Sequence, residues 1–126
     1  MARIFYSLCG EGRGHAARAR TLIDDLRYYH DITVYAPAHA YDLLFPLYHN
    51  TRNVKVLRIP GLMFHYNGRK RLDYFCTGIN SIEYLCGASS LVRRRCEDID
   101  RAKPDLVITD FEPALARAAE KCRVPY

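Results

Sequence analysis

The stretch Cys9-Gly10-Glu11-Gly12-Arg13-Gly14-His15 places three glycines and an imidazole directly after an apolar run. Glycines at a strand end let the backbone turn tightly and bring amide groups close to an anion at a helix start. A histidine titrates near pH ~6.5 when unperturbed, so His15 is chemically able to act as a base near neutrality. A second group of residues, Pro104–Pro113 (PDLVITDFEP), carries Asp110 at the end of another apolar run. A carboxylate on the second ring nitrogen of a histidine fixes its tautomer and stabilises the imidazolium. Two plainer roles stand beside these: His15 as a helix cap or loop-lining residue, and Asp110 as a strand-end turn residue.

The glycine loop admits three nucleotide readings. A phosphate loop of the ATPase type needs G-x-x-x-x-G-K-[ST], and the chain has no Lys-Ser or Lys-Thr. A dinucleotide fingerprint needs G-x-G-x-x-G, whereas Gly10, Gly12 and Gly14 give G-x-G-x-G and His15 occupies the third fingerprint position. That fingerprint also expects an acid after the second strand, where Ala36 and Pro37 stand. A nicotinamide-dependent oxidoreductase is therefore disfavoured. The third reading is the one that uses the histidine.

These residues need elements to position them. Arg3–Cys9 reads as a buried parallel strand and His15–Tyr29 as a helix with Ala19, Leu22, Ile23 and Leu26 at helical spacing. Ile32–Ala36 is a second strand ended by Pro37, followed by a short helix around Tyr41–Phe45 that Pro46 stops or kinks. Val54–Ile59 alternates apolar with basic residues as a third strand. Gly61–Phe75 has no clean period and reads as a loop. From Ile79 to Ala102 an amphipathic helix follows, with Gly78 and Gly87 able to bend or divide it. Asp105–Thr109 is a fourth strand, Pro113 opens a last helix to Lys121, and Val124–Tyr126 resembles the start of a fifth strand. Strand–helix alternation with short connections specifies an α/β fold with a doubly wound, Rossmann-like parallel sheet of four to five strands. Right-handed crossovers place the strands in the order third, second, first, fourth. The first and fourth strands then meet at the switch point, where ligands bind outside the carboxyl ends. Strands lie about 4.8 Å apart, so His15, six residues past Cys9, reaches Asp110 only if the glycine turn folds back.

Gly10–Arg18 (GEGRGHAAR) and Pro104–Pro113 together resemble the N-terminal domain of two-lobed (GT-B type) glycosyltransferases. The similarity extends to UDP-glycosyltransferases, to the enzyme that adds N-acetylglucosamine to the peptidoglycan lipid intermediate, and to a group of prokaryotic glycosyltransferase-like proteins. The resemblance implies that His15 deprotonates an acceptor hydroxyl, that Asp110 orients it, and that Gly10, Gly12, Arg13 and Gly14 approach the donor phosphates. It implies an inverting reaction with a nucleotide-sugar donor, no cofactor and no metal, and a small-molecule or lipid-linked acceptor. It further implies that residues 1–126 form a single domain lacking the C-terminal nucleotide-sugar-binding lobe, inactive alone and with millimolar affinity at best for UDP-sugars. Glu11 and Arg13 depart from the family, which carries Thr and small residues there. A non-catalytic Rossmann-like ligand- or partner-binding module is the alternative.

Charge and composition narrow the partners. Nineteen Lys and Arg against fourteen Asp and Glu leave +5, which favours anionic partners or simply solubility. Arg13, Arg18 and Arg20 crowd cations at a helix N-terminus, where the dipole disfavours them unless an anion sits nearby or they point into solvent. Met63–Phe75 interleaves Phe64 and Tyr66 with Arg69, Lys70 and Arg71, an acceptor- or anion-binding pattern that also suits single-stranded nucleic acid or a solvated loop. Nucleic acid is not expected as a partner, whereas peripheral contact with an anionic membrane is. Five cysteines without C-x-x-C spacing read as reduced core thiols, and no apolar run approaches the ~18 residues of a membrane span, so a cytoplasmic protein is expected. The ten-residue rhythm of Cys76, Cys86 and Cys96 rotates by about 280° per step on a helix, so they share no face for a metal. The fourth strand, with no internal Lys or Pro, is an edge open to self-association.

Overall fold

β1 (Arg3–Leu8) buries five of its six residues, as a strand covered on both faces must. The computed structural model describes residues 1–10, 12–61 and 74–126, with side chains from residue 88 onward in the last segment. The other elements follow in the order α1 (Gly12–Leu26), β2 (Asp31–Pro37), α2 (Ala38–Tyr48), β3 (Val54–Ile59), α3 (Tyr74–Ala102), β4 (Leu106–Asp110) and α4 (Pro113–Lys121). All strand pairs are parallel and the sheet order is β3-β2-β1-β4, as the crossover argument requires.

Successive side chains of a strand point to opposite faces, and β1 divides its residues accordingly. Tyr6 and Leu8 join Ala16, Ala19, Ile23 and Leu44 under α1 and α2, whereas Phe5 joins Val92, Ile99, Leu115 and Ala118 under α3 and α4. Two polar ties fix helices to these layers. The Tyr48 hydroxyl donates to Asp24 Oδ1 at 2.9 Å, joining α2 to α1. The Tyr35 hydroxyl donates to Asp98 Oδ2 at 3.3 Å, while Arg95 lies 4.7 Å over the Tyr35 ring and 3.0 Å from the same carboxylate.

Several boundaries differ from expectation. α1 begins at Gly12, so Arg13, Gly14 and His15 belong to its first turn, and it ends at Leu26 rather than Tyr29. Pro37 is the last residue of β2, paired with Ile59, because a strand-end proline loses no ladder bond it needs. α2 runs through Pro46 to Tyr48 and is closed by the His49 amide on the Phe45 carbonyl. α3 starts at Tyr74 and is continuous across Gly78 and Gly87, since each glycine costs only ~1 kcal/mol in a long helix. Val124–Tyr126 forms no strand, but the Pro125 carbonyl accepts from the Val107 amide at 2.8 Å on the open side of β4. Cys9, Cys96 and Cys122 are free thiols. The side chains of Cys76 and Cys86 lie outside the described residues.

Candidate active site

Leu8 and Asp110 are register partners at the carboxyl ends of β1 and β4, and the Cys9 amide donates to the Asp110 carbonyl at 2.9 Å. The backbone of Asp110 is thereby fixed to the start of the glycine turn. A Cβ on Gly10 would meet the Pro37 carbonyl oxygen and ring at 2.9 Å, and one on Gly61 would meet the same ring at 2.6 Å. Glycine at both positions lets the segments leaving β1 and β3 close on the end of β2. Gly14 differs, because nothing lies within 4 Å of a Cβ placed there. Its Cβ space is open at the first turn of α1.

That first turn carries the imidazole. His15 Nδ1 lies 3.0 Å from Asp110 Oδ2, with the two side chains 27% and 14% exposed. The pair is in contact without an aligned hydrogen bond, and among the described residues the buried Nδ1 has no other partner. Because the helix starts at Gly12, three residues earlier than the apolar spacing indicates, the histidine arrives over the sheet edge without an extended loop.

Arg18, a candidate acceptor- or anion-binding residue, donates from Nη1 to both Asp110 oxygens at 3.0 Å. His15 and Arg18 are three residues apart and so share a helix face, a signal present in the sequence. Arg20 pairs with Asp24 at 3.7 Å on its own helix. Arg13 is exposed and lines a cavity of about 370 Å³ with His39, Asp42 and Leu43. A second cavity, about 270 Å³, runs along α1 and α2 past Arg13, Arg20, Leu43 and Leu47. Neither is lined by His15 or Asp110. Beneath the carboxylate, burial pushes the Tyr6 hydroxyl pKa up, the Asp110 charge adds to the rise, and Arg18 opposes it.

Phe111 escaped the sequence reading. It adopts φ +60°, its ring is 70% exposed, and it lies nearly parallel to the His15 ring (20°) with centroids 6.4 Å apart. Glu112, buried beside it, accepts from the Ala114 and Leu115 amides at 3.0 and 2.9 Å and so caps α4. Phe64, Tyr66, Arg69, Lys70 and Arg71 lie outside the described residues, as does Glu11. Among the described residues no three His, Cys, Asp or Glu side chains are grouped to hold a metal, and no helix is long and apolar enough to cross a membrane.

Chemically, the arrangement is a partly exposed imidazole backed by a shielded carboxylate at a sheet switch point. UGT73P12 of Glycyrrhiza uralensis, solved in complex with glycyrrhetinic acid 3-O-monoglucuronide, has a similar fold, with TM-score 0.57 and 20% sequence identity. The match covers 99% of this chain and 27% of that one, so the chain spans about a quarter of its structural relative. No curated protein matches the sequence. A family model described as Glycosyl transferase family 1 matches residues 2–126, and the chain belongs to that family.

Proposed function

We propose that residues 1–126 form the N-terminal, acceptor-side lobe of an inverting glycosyltransferase that moves a hexosyl group from a nucleotide-diphosphate donor. His15, through Nε2, takes the proton of an acceptor hydroxyl, and the oxygen attacks the anomeric carbon. The bond from that carbon to the diphosphate breaks on the opposite face, and the nucleotide diphosphate leaves with the electron pair. Asp110 holds Nδ1 and stabilises the imidazolium that forms. The observation that carries this reading is the 3.0 Å approach of Asp110 Oδ2 to His15 Nδ1 at the carboxyl ends of β1 and β4.

The acceptor is a small molecule, the class of compound with which the structural relative was solved, or a lipid-linked one. Gly10, Gly12, Arg13 and Gly14 face the donor phosphates. The donor nucleotide is held chiefly by a second lobe, so the isolated chain is inactive and binds UDP-sugars at millimolar strength at best, roughly −4 kcal/mol. Calorimetry with UDP-glucose tests this division, and micromolar binding to the isolated chain overturns it. Peripheral contact with an anionic membrane and a cytoplasmic site of action belong to the same proposal.

In the full-length polypeptide, His15→Ala lowers kcat by about 10²–10⁴-fold, the range of a positioned base, and Asp110→Asn by somewhat less. Near-wild-type turnover of His15→Ala removes the catalytic assignment and leaves the non-catalytic binding module.

A further inference from the structure

Asp110 has two partners from one helix. His15 and Arg18 approach it from adjacent turns of α1, each at 3.0 Å. We propose that Arg18 is a positioning residue, anchoring the Asp110 carboxylate so that Oδ2 stays against His15 Nδ1. This rests on the reading of His15 as the base and adds a third member to that pair.

The histidine contact alone does not orient the carboxylate. An aspartate carboxylate turns within a broad, roughly two-fold well about its last torsion, and its contact with Nδ1 is not an aligned hydrogen bond. Arg18 adds two bonds, because Nη1 donates to Oδ1 and to Oδ2 at 3.0 Å each. Together they anchor the carboxyl group against α1 with Oδ2 on the ring. At 14% exposure the carboxylate has little room for water to compete.

The magnitude separates positioning from simple stabilisation. Arg18 is 61% exposed, and ion pairs of such side chains contribute little to folding. Loss of Arg18 should leave the fold nearly unchanged, so an effect on the histidine stands out. An anion-binding Arg18 predicts a different result: the same Nη1 would have to leave the carboxylate, and losing the side chain would weaken substrate binding rather than disturb His15.

The test reads the His15 ring directly in this chain. Above the pH at which its ring signals stop changing, nitrogen-15 NMR distinguishes the two neutral tautomers. Wild type should show the Nδ1–H form, Arg18→Ala a mixture, and Arg18→Lys the wild-type pattern, because one ammonium can span both oxygens as Nη1 does. Arg18→Gln serves the same comparison if the alanine variant fails to fold. Unchanged ring signals in the neutral variant overturn the proposal. In the full-length polypeptide, with release of UDP from UDP-glucose as the probe, Arg18→Ala should lower kcat by about 10- to 100-fold, the range for a misplaced catalytic group, with KM within about twofold. A raised KM at unchanged kcat makes Arg18 an anion binder and also overturns it. Turnover that survives His15→Ala sinks the base reading instead, while the ring signals still report whether Arg18 orients the carboxylate.

Discussion

Phe111 holds a left-handed backbone conformation between Asp110 and Glu112 with most of its ring in solvent. For a side chain with a Cβ, that conformation costs roughly 1–2 kcal/mol, and an exposed ring returns little of it through packing. The strain is imposed from both sides. Asp110 is tied to Cys9 through its carbonyl, and Glu112 is tied to the first turn of α4. Strain of this kind clusters at functional sites, and here it sets an aromatic face beside His15. Phe111→Gly should therefore stabilise the chain by about 1 kcal/mol, read as a higher urea midpoint at unchanged m-value. A lower midpoint would mean that the ring is packed in a way its exposure does not show. Nothing in TDFEP announces the strain, because a positive φ at phenylalanine arises from its anchored neighbours rather than from its own preference.

At the scale of elements, the close approach of Gly10 and Gly61 to Pro37 joins the ends of three strands. Gly10→Ala places a methyl group 2.9 Å from a backbone oxygen that cannot swing aside. Overpacking of this kind costs typically 1–3 kcal/mol. Thermal unfolding should show the loss, and the same shift should pull His15 from Asp110, because His15 follows that turn while Asp110 is held by the Cys9 amide before it. An unchanged melting temperature would show that the turn relaxes without cost. The strands and their order were legible because buried runs such as RIFYSL and DLVIT are short, apolar and punctuated by Gly or Pro. Helix starts were less so. Gly12 and Gly14 read as loop because glycine has poor helix propensity, yet α1 extends back through both. Glu112 was not legible as a cap, since Ser, Thr, Asp and Asn lead at that position, but its longer side chain reaches two amides. Of the site, His15 and Asp110 were legible through their placement after β1 and β4. Arg18 was singled out for its charge, and its partner depended on which face of α1 meets β4.

The whole molecule has ionisable groups whose protonated forms the fold protects. Burial first, then the bond to Asp24, pushes the Tyr48 hydroxyl pKa up to about 12, and burial with the Asp98 charge raises that of Tyr35 still further. A raised folded-state value means that the stabilisation is complete below the unfolded value, near pH 10, and is lost as pH climbs through the folded one. Stability should hold to about pH 10 and fall steeply above it, followed by circular dichroism alongside tyrosinate absorbance. Ionisation of all ten tyrosines near pH 10 without unfolding would show that these two hydroxyls are less protected than their burial implies.

A prediction about association also belongs to the whole chain, and it turns on β4. This strand ends the described sheet, its sequence LVITD has no Lys or Pro, and four of its five residues are exposed or partly exposed. Such an edge offers unpaired backbone groups to a second chain. On its open side the Val107 amide donates to the Pro125 carbonyl, so the C-terminal residues shield part of it. Sedimentation of the chain should show concentration-dependent self-association, strengthened when residues 124–126 are removed and weakened by Ile108→Lys, which sets a charge into the edge. A monomer at all concentrations, with or without those residues, would show that one backbone bond and the half-buried side chains of β4 suffice to close the sheet.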